Sequence, residues 1–213
     1  MPALNINCIK KRIDTHSQSG LPGISAHKKM APPERINSNY TPEPKNAPES
    51  AVLILLYEDE QGLQLPLIKR SNNGSVHSGQ IGLPGGKTEP ADPDHIYTAL
   101  RETEEEIGVK VNKQDVVGEL SPLYIPVSNF IVRPVVAYFP EKPVFKLNPA
   151  EVDEIHTISL DDFLKTDITI KKLKLQNRPV DIPFFCIGKT EIWGATAMII
   201  SELKDILTKK AAS

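Results

Sequence analysis

The sequence predicts an α/β (α+β) fold, a mixed β-sheet covered by helices. Two observations carry the prediction. Apolar runs of strand length recur between residues 51 and 187, and two strongly patterned helices stand among them without regular βαβ alternation. The composition agrees: 213 residues with 39% hydrophobic and 24% charged side chains suit one soluble domain of ordinary size with an appendage. A net charge of -2 argues against a general nucleic-acid or membrane-surface binder. The longest apolar run, Ala51 to Tyr57, is too short to span a bilayer. Cys8 and Cys186 lie at opposite ends, so neither a disulfide framework nor a structural zinc site is expected.

Residues 1–48 read as an N-terminal helix near Ala3–Thr15 followed by an extended, Pro-rich arm. Seven of the 19 prolines fall before residue 49, which rules out a continuous helix or central strand there. Leu21, Ile24 and Met30 are the apolar spots that would dock such an arm. No secretory stretch is present. Residues 1–33 hold five basic side chains and one acid, Asp14, without the Arg/Ser repetition of a transit peptide, so the cytoplasm is the expected location. The main domain, 49–213, begins with the buried-strand pattern Ala51–Tyr57. The turn Asp59-Glu-Gln-Gly62 joins it to Leu63–Ile68 as a hairpin. Further strands are expected at Val116–Leu120, Phe130–Phe139, Val152–Ile158, Ile168–Leu175 and Ile182–Ile187. Short and long helices are expected at Leu160–Leu164 and Gly194–Leu207, the latter with Ile199, Ile200, Leu203, Ile206 and Leu207 on one face.

The most informative helix follows the loop Gly79-Gln-Ile-Gly-Leu-Pro-Gly-Gly86. Asp92 as N-cap, Pro93 at the first helical position and Gly108 as stop place it at about 93–107. At ~100° per residue, Ile96, Ala99, Leu100, Thr103 and Ile107 form the core face. Glu102, Glu105 and Glu106 gather on another face, turned to solvent, and Glu104 lies apart. Three neighbouring carboxylates repel one another and sit near the negative end of the helix dipole. A bland reading is a solvated acidic face. The functional reading is an oxygen-rich site for Mg²⁺ or Mn²⁺, with the glycines of the loop allowing close backbone approach to a ligand.

Loop and helix together resemble the Nudix box: Gly86 opens it and Arg101-Glu-Thr-Glu-Glu-Glu-Ile-Gly-Val109 closes it. Asp92 stands where a Glu is usual, eight residues instead of seven separate it from Arg101, and Thr103 replaces an apolar residue. The spacing is similar to that of the coenzyme A pyrophosphatase branch. So are Leu67-Ile-Lys-Arg-Ser71, His77-Ser-Gly-Gln80, Leu83-Pro-Gly-Gly86, Asn148-Pro-Ala-Glu-Val152 and Ile192-Trp-Gly-Ala-Thr-Ala197, although Asn72-Asn-Gly-Ser-Val76 lacks an arginine often found there.

The resemblance implies a Nudix α/β/α sandwich and hydrolysis of coenzyme A to 3′,5′-ADP and 4′-phosphopantetheine. It implies that Glu102, Glu105 and Glu106 bind Mg²⁺ or Mn²⁺, that one of them or a loop acid acts as base, with Glu151 and Glu154 as candidates for a further ligand or base from outside the box, and that Arg101 orients the glutamates. Arg70, Ser71, His77, Gly85 and Gly86 are the implied substrate contacts, with Lys69 or Arg70 reading a 3′-phosphate. His156 and Trp193 read as structural, Trp193 as core or as a staple at the helix start. The partner implied is a small nucleotide, with no nucleic acid and no membrane; a homodimer is compatible with the resemblance. Two alternatives are a Nudix hydrolase of another substrate, such as ADP-ribose, and a non-catalytic nucleotide-binding domain of the same fold, which would have lost its glutamates.

Overall fold

The structure, a computed structural model, describes residues 4–33, 44, 46–72, 78–175 and 178–209. Its framework is an eight-stranded mixed sheet. β1 (Glu49–Asp59) and β2 (Gly62–Arg70) form the expected hairpin, and Asp59 Oδ1 closes the turn by accepting from Gln61 N at 2.9 Å. β1 also runs parallel to β7 (Phe130–Phe139), from Glu49 opposite Ile131 to Tyr57 opposite Phe139. Beyond the hairpin turn β1 and β2 part company. β3 (Ile81–Gly82) pairs with β2 and β4 (Gly85–Lys87) pairs with β1, so the segment 81–87 fills a fork between them. β5 (Val116–Glu119) and β6 (Leu123–Ile125) pair with β7, and β8 (Val152–Ser159) pairs with β2. The strands after residue 167 leave this sheet: β9 (Ile168–Leu175), β10 (Arg178–Ile187) and β11 (Thr190–Ile192) form a separate antiparallel sheet.

The helices are α1 (Ile6–Ser19), α2 (Ile24–His27), α3 (His95–Ile107), α4 (Leu160–Lys165) and α5 (Gly194–Thr208). They cover both faces of the large sheet, which explains the unbroken apolar run of β1. Ala51, Leu53 and Leu55 point to one face, with Val135 and Ala137 of β7, under Ala99 and Ile107 of α3. Ile54 and Leu56 point to the other, with Val136, under Ile199, Ile200, Leu203 and Ile206 of α5. Among the described residues no helix is long and apolar enough to cross a membrane.

Part of the N-terminal expectation is corrected. α1 starts at Ile6, capped by Asn5 Oδ1 accepting from Cys8 N at 3.0 Å, and continues to Ser19 instead of ending at Thr15. The segment after it is not extended: it forms α2 and a 3₁₀ turn, Lys28–Met30. Ile9, Ile13 and Met30 are fully buried in the same core cluster as α5, each side chain contributing about 2 kcal/mol of apolar burial. Leu21 packs on its margin, whereas Ile24 is 52% exposed. Residues 34–43 of the Pro-rich stretch lie outside the described residues.

A single buried carboxylate fastens this segment. Glu202 of α5, 0% exposed, accepts from Gly23 N at 2.9 Å, Ser121 N at 3.1 Å, Ser121 Oγ at 2.7 Å and pairs with His27 Nε2 at 3.0 Å. Burial alone raises its pKa, but the hydrogen bonds from His27, Ser121 and the Gly23 N–H outweigh burial and hold it below the usual carboxylate value. Its contribution is therefore complete above the ordinary range and lost as pH falls through the lowered value. Removing one partner of such a buried network costs about 3 kcal/mol. Glu202→Ala is expected to lower the melting temperature at neutral pH by about 6–12 °C, with Glu202→Gln milder; a thermal melt of Glu202→Ala that matches the wild type contradicts the fastening role.

Candidate active site

The acidic helix begins two residues later than expected. Asp94, with extended backbone, is its N-cap and accepts from Tyr97 N at 2.8 Å. Pro93 therefore precedes the cap. Gly108 ends the helix in the left-handed region at φ 70°, its N–H donating to Glu104 O. Asp92 does something else. Arg101 donates to both its oxygens at 3.0 Å through Nε and Nη2, and Thr98 Oγ1 and Glu89 N add bonds at 2.8 and 2.9 Å. The Arg101 hydrogen bonds are the main reason its pKa drops from 3.8 to about 2. Asp92 is a clamp on Arg101, its side chain 1% exposed.

Arg101 also lies 3.1 Å from Glu102 and 3.1 Å from Glu105, and donates to Lys87 O at 3.1 Å. One guanidinium thus offsets the mutual repulsion of its acidic neighbours. The three glutamates nonetheless take different directions. Glu105 is 52% exposed and turned to Arg101. Glu102 is partly buried, and burial raises its pKa. Its carboxylate lies so close to Gly86 that a Cβ there would overlap it.

Glu106 is not turned to solvent: it is 1% exposed. Gly85 N donates to Glu106 Oε2 at 2.8 Å and Arg70 Nη1 stands 3.6 Å from Oε1, which makes no hydrogen bond among the described residues. Burial is the main cause of its pKa rising to about 7. Gly85 itself has φ 150°, and a Cβ would collide with Ala51 O, so the fork of the sheet admits only glycine there. Helix periodicity could not reveal the burial of Glu106, because the group that covers it comes from a loop 21 residues away.

The remaining predicted residues divide. Arg70 joins the site and also donates to Gly85 O at 3.3 Å. Ser71 does not: it is buried, its Oγ donates to Ala150 O at 2.7 Å and its N–H to Glu151 O at 2.8 Å, so its polar groups hold the chain in place. His77 lies outside the described residues. Of the two acids outside the box, Glu151 is near enough for its charge to raise the pKa of Glu102 and Glu106. Glu154 instead stands 3.4 Å from His156 Nε2. Trp193 is the N-terminal residue flanking α5, its ring centroid 5.9 Å from that of Phe184.

Among the described residues no three His, Cys, Asp or Glu side chains are closed around a metal position as the side chains now stand. The donor set still fits a hard divalent cation. It consists of carboxylate oxygens, one of them a buried atom without a hydrogen bond, beside the Gly85-Gly86 backbone of β4.

The two aspartates separate structure from positioning. Asp94→Ala removes the cap and should lower stability by about 1 kcal/mol with activity retained. Asp92→Ala releases Arg101 and should lower kcat by about 10–100-fold. It should also remove roughly 2 kcal/mol of stability that the wild type holds above pH ~4 and loses as pH falls towards 2. Melting curves between pH 2 and 5 together with turnover check both; equal effects of the two substitutions contradict the assignment.

The NUDIX domain model matches residues 47–179. The chain is 32% identical over 176 residues to the uncharacterized Nudix hydrolase NudL of Photorhabdus laumondii, covering 81% of this chain and 88% of that protein. It is 31% identical to the mitochondrial coenzyme A diphosphatase NUDT8 of Homo sapiens over 170 residues, 78% of this chain and 72% of that one. It spans 44%, 40% and 56% of the length of three longer plant and fission-yeast relatives. Among solved structures, a MutT/nudix family protein from Enterococcus faecalis superposes with a TM-score of 0.53 at 19% identity, covering 84% of this chain and 70% of that one, which supports the mixed-sheet fold. The box on α3, the glycine fork that buries Glu106 and these matches make the chain a member of the Nudix hydrolase family, a Nudix pyrophosphohydrolase.

Proposed function

We propose that the substrate is coenzyme A or an acyl-coenzyme A, split at the pyrophosphate into 3′,5′-ADP and 4′-phosphopantetheine. The observation that carries this reading is the 31% identity to a coenzyme A diphosphatase across 72% of its length. The segments Leu67–Ser71, Leu83–Gly86 and Ile192–Ala197 support it from the sequence. Mg²⁺ or Mn²⁺, when bound, supplies neutralisation of the pyrophosphate and a water acidified for attack on phosphorus. Glu102, Glu105 and Glu106 are the proposed ligands. Glu106 is held for that task by the Gly85 N–H, and Gly86 leaves the approach to Glu102 clear. Arg101 is a positioning residue that keeps Glu102 and Glu105 together. Arg70, half-buried beside Glu106, is the proposed contact to a phosphate oxygen. Glu151, whose carboxylate accepts from Asn148 Nδ2 at 3.1 Å, is the proposed acceptor of the proton from water.

The test is kcat/KM for coenzyme A, dephospho-coenzyme A and ADP-ribose at one Mg²⁺ concentration, with products resolved by mass spectrometry. Coenzyme A is expected to be preferred over either analogue by at least about tenfold. Activity should vanish with EDTA and return with Mg²⁺ or Mn²⁺. Glu106→Gln should lose orders of magnitude in kcat, and the exposed Glu104→Gln should stay near wild type. Equal values for the three substrates, or a preference for ADP-ribose, would remove the coenzyme A reading and leave the family intact.

A further inference from the structure

A cavity of about 480 Å³ opens where β2 and β8 meet the turn between β10 and β11. That volume is in the range of small-molecule sites. Lys69 of β2 lines it, while the next residue, Arg70, turns to Glu106, so one strand end serves both places. Gly82 lies beside Arg70 and the first turn of α5: a Cβ there would lie 3.6 Å from Arg70 Nε and 4.0 Å from Thr196 Oγ1. Thr196 Oγ1 donates to Ile81 O at 3.2 Å and holds the start of α5 against this segment.

The chemistry of the walls is selective. Trp193 lines the cavity and is supported from behind by Phe184, the rings tilted by 35°. The wall also carries two lysines, Lys69 and Lys189, and two glutamates, Glu154 and Glu191. Glu191 pairs with Lys171 at 2.5 Å, whereas Glu154 stands 3.4 Å from His156 Nε2 without a hydrogen bond to it. Among the described residues neither Lys69 nor Lys189 has an acidic partner. His156 Nδ1 bonds Thr190 Oγ1 at 3.1 Å, and its buried Nε2 makes no hydrogen bond. An aromatic wall and two ammonium groups without an acidic partner suit an aromatic base that carries a phosphomonoester.

We infer that this cavity holds the 3′-phosphoadenosine end of the substrate, with Trp193 stacking on the base and Lys69 and Lys189 binding the 3′-phosphate. The inference rests on the coenzyme A reading for its substrate, but its ligand can be tested without turnover. Trp193 is the single tryptophan of the chain, so its fluorescence reports on this cavity alone. Titration of the full-length protein with 3′,5′-ADP should quench that fluorescence saturably, and 5′-AMP should do so with a Kd higher by about tenfold or more. In Lys69→Ala/Lys189→Ala, folded by circular dichroism, the two ligands should bind with similar affinity. An unresponsive Trp193, equal affinities in the wild type, or a 3′-phosphate advantage that survives in the double variant would overturn the inference. Coenzyme A cleavage with an unresponsive Trp193 removes the cavity assignment and leaves the reaction. Selective 3′,5′-ADP quenching without coenzyme A cleavage removes the reaction and leaves the ligand of the cavity.

Discussion

The hydrogen bond from Gly85 N to Glu106, 2.8 Å long, is the contact on which the site depends. It joins the last turn of α3 to the segment that fills the fork between β1 and β2. A carboxylate taken out of water needs such a donor, because a buried unsatisfied charge costs several kcal/mol. The bond forms only because residue 85 is glycine: any Cβ would meet the β1 backbone. The splayed hairpin, the glycine pair and the buried glutamate are therefore one device, and it places a carboxyl oxygen where the sheet opens.

Arg101 solves the complementary problem. Glu102 and Glu105 share a helix face, and their repulsion would drive them apart. Asp92 anchors the guanidinium from outside the helix and leaves its remaining N–H groups to the glutamates and to Lys87 O. These hydrogen bonds, led by those to Asp92, raise the pKa of Arg101 above its already high value and keep it charged at any working pH.

The legible parts of the sequence were those set by local patterns. The unbroken apolar run of β1 announced a strand covered on both faces, and the periodicity of α5 named the residues that are buried. Ala99, Thr103 and Ile107 were correctly assigned to the inner face of α3. What was not legible depends on distant partners. Asp92 and Asp94 both satisfy capping rules, and only Arg101 distinguishes them. Glu106 reads as a surface residue until Gly85 covers it. The N-terminal helix is legible but not its length, and the proline-rich composition hides the short helical turns, Ile24–His27 and Lys28–Met30, that follow it. The pairing of β9 to β11 into a sheet of their own is set by non-local register that a strand pattern does not encode.

The account comes down to whether this backbone-and-carboxylate arrangement is a cation site. Gly86 offers the most direct test, since a methyl group there must displace the Glu102 carboxylate while all three glutamates stay in the sequence. The measurement is Mn²⁺ uptake followed by loss of the free-ion electron paramagnetic resonance signal, wild type against Gly86→Ala. A rise in Kd of about tenfold or more in the variant, with circular dichroism unchanged, is the predicted result. Equal Mn²⁺ affinity in the two proteins would contradict the site.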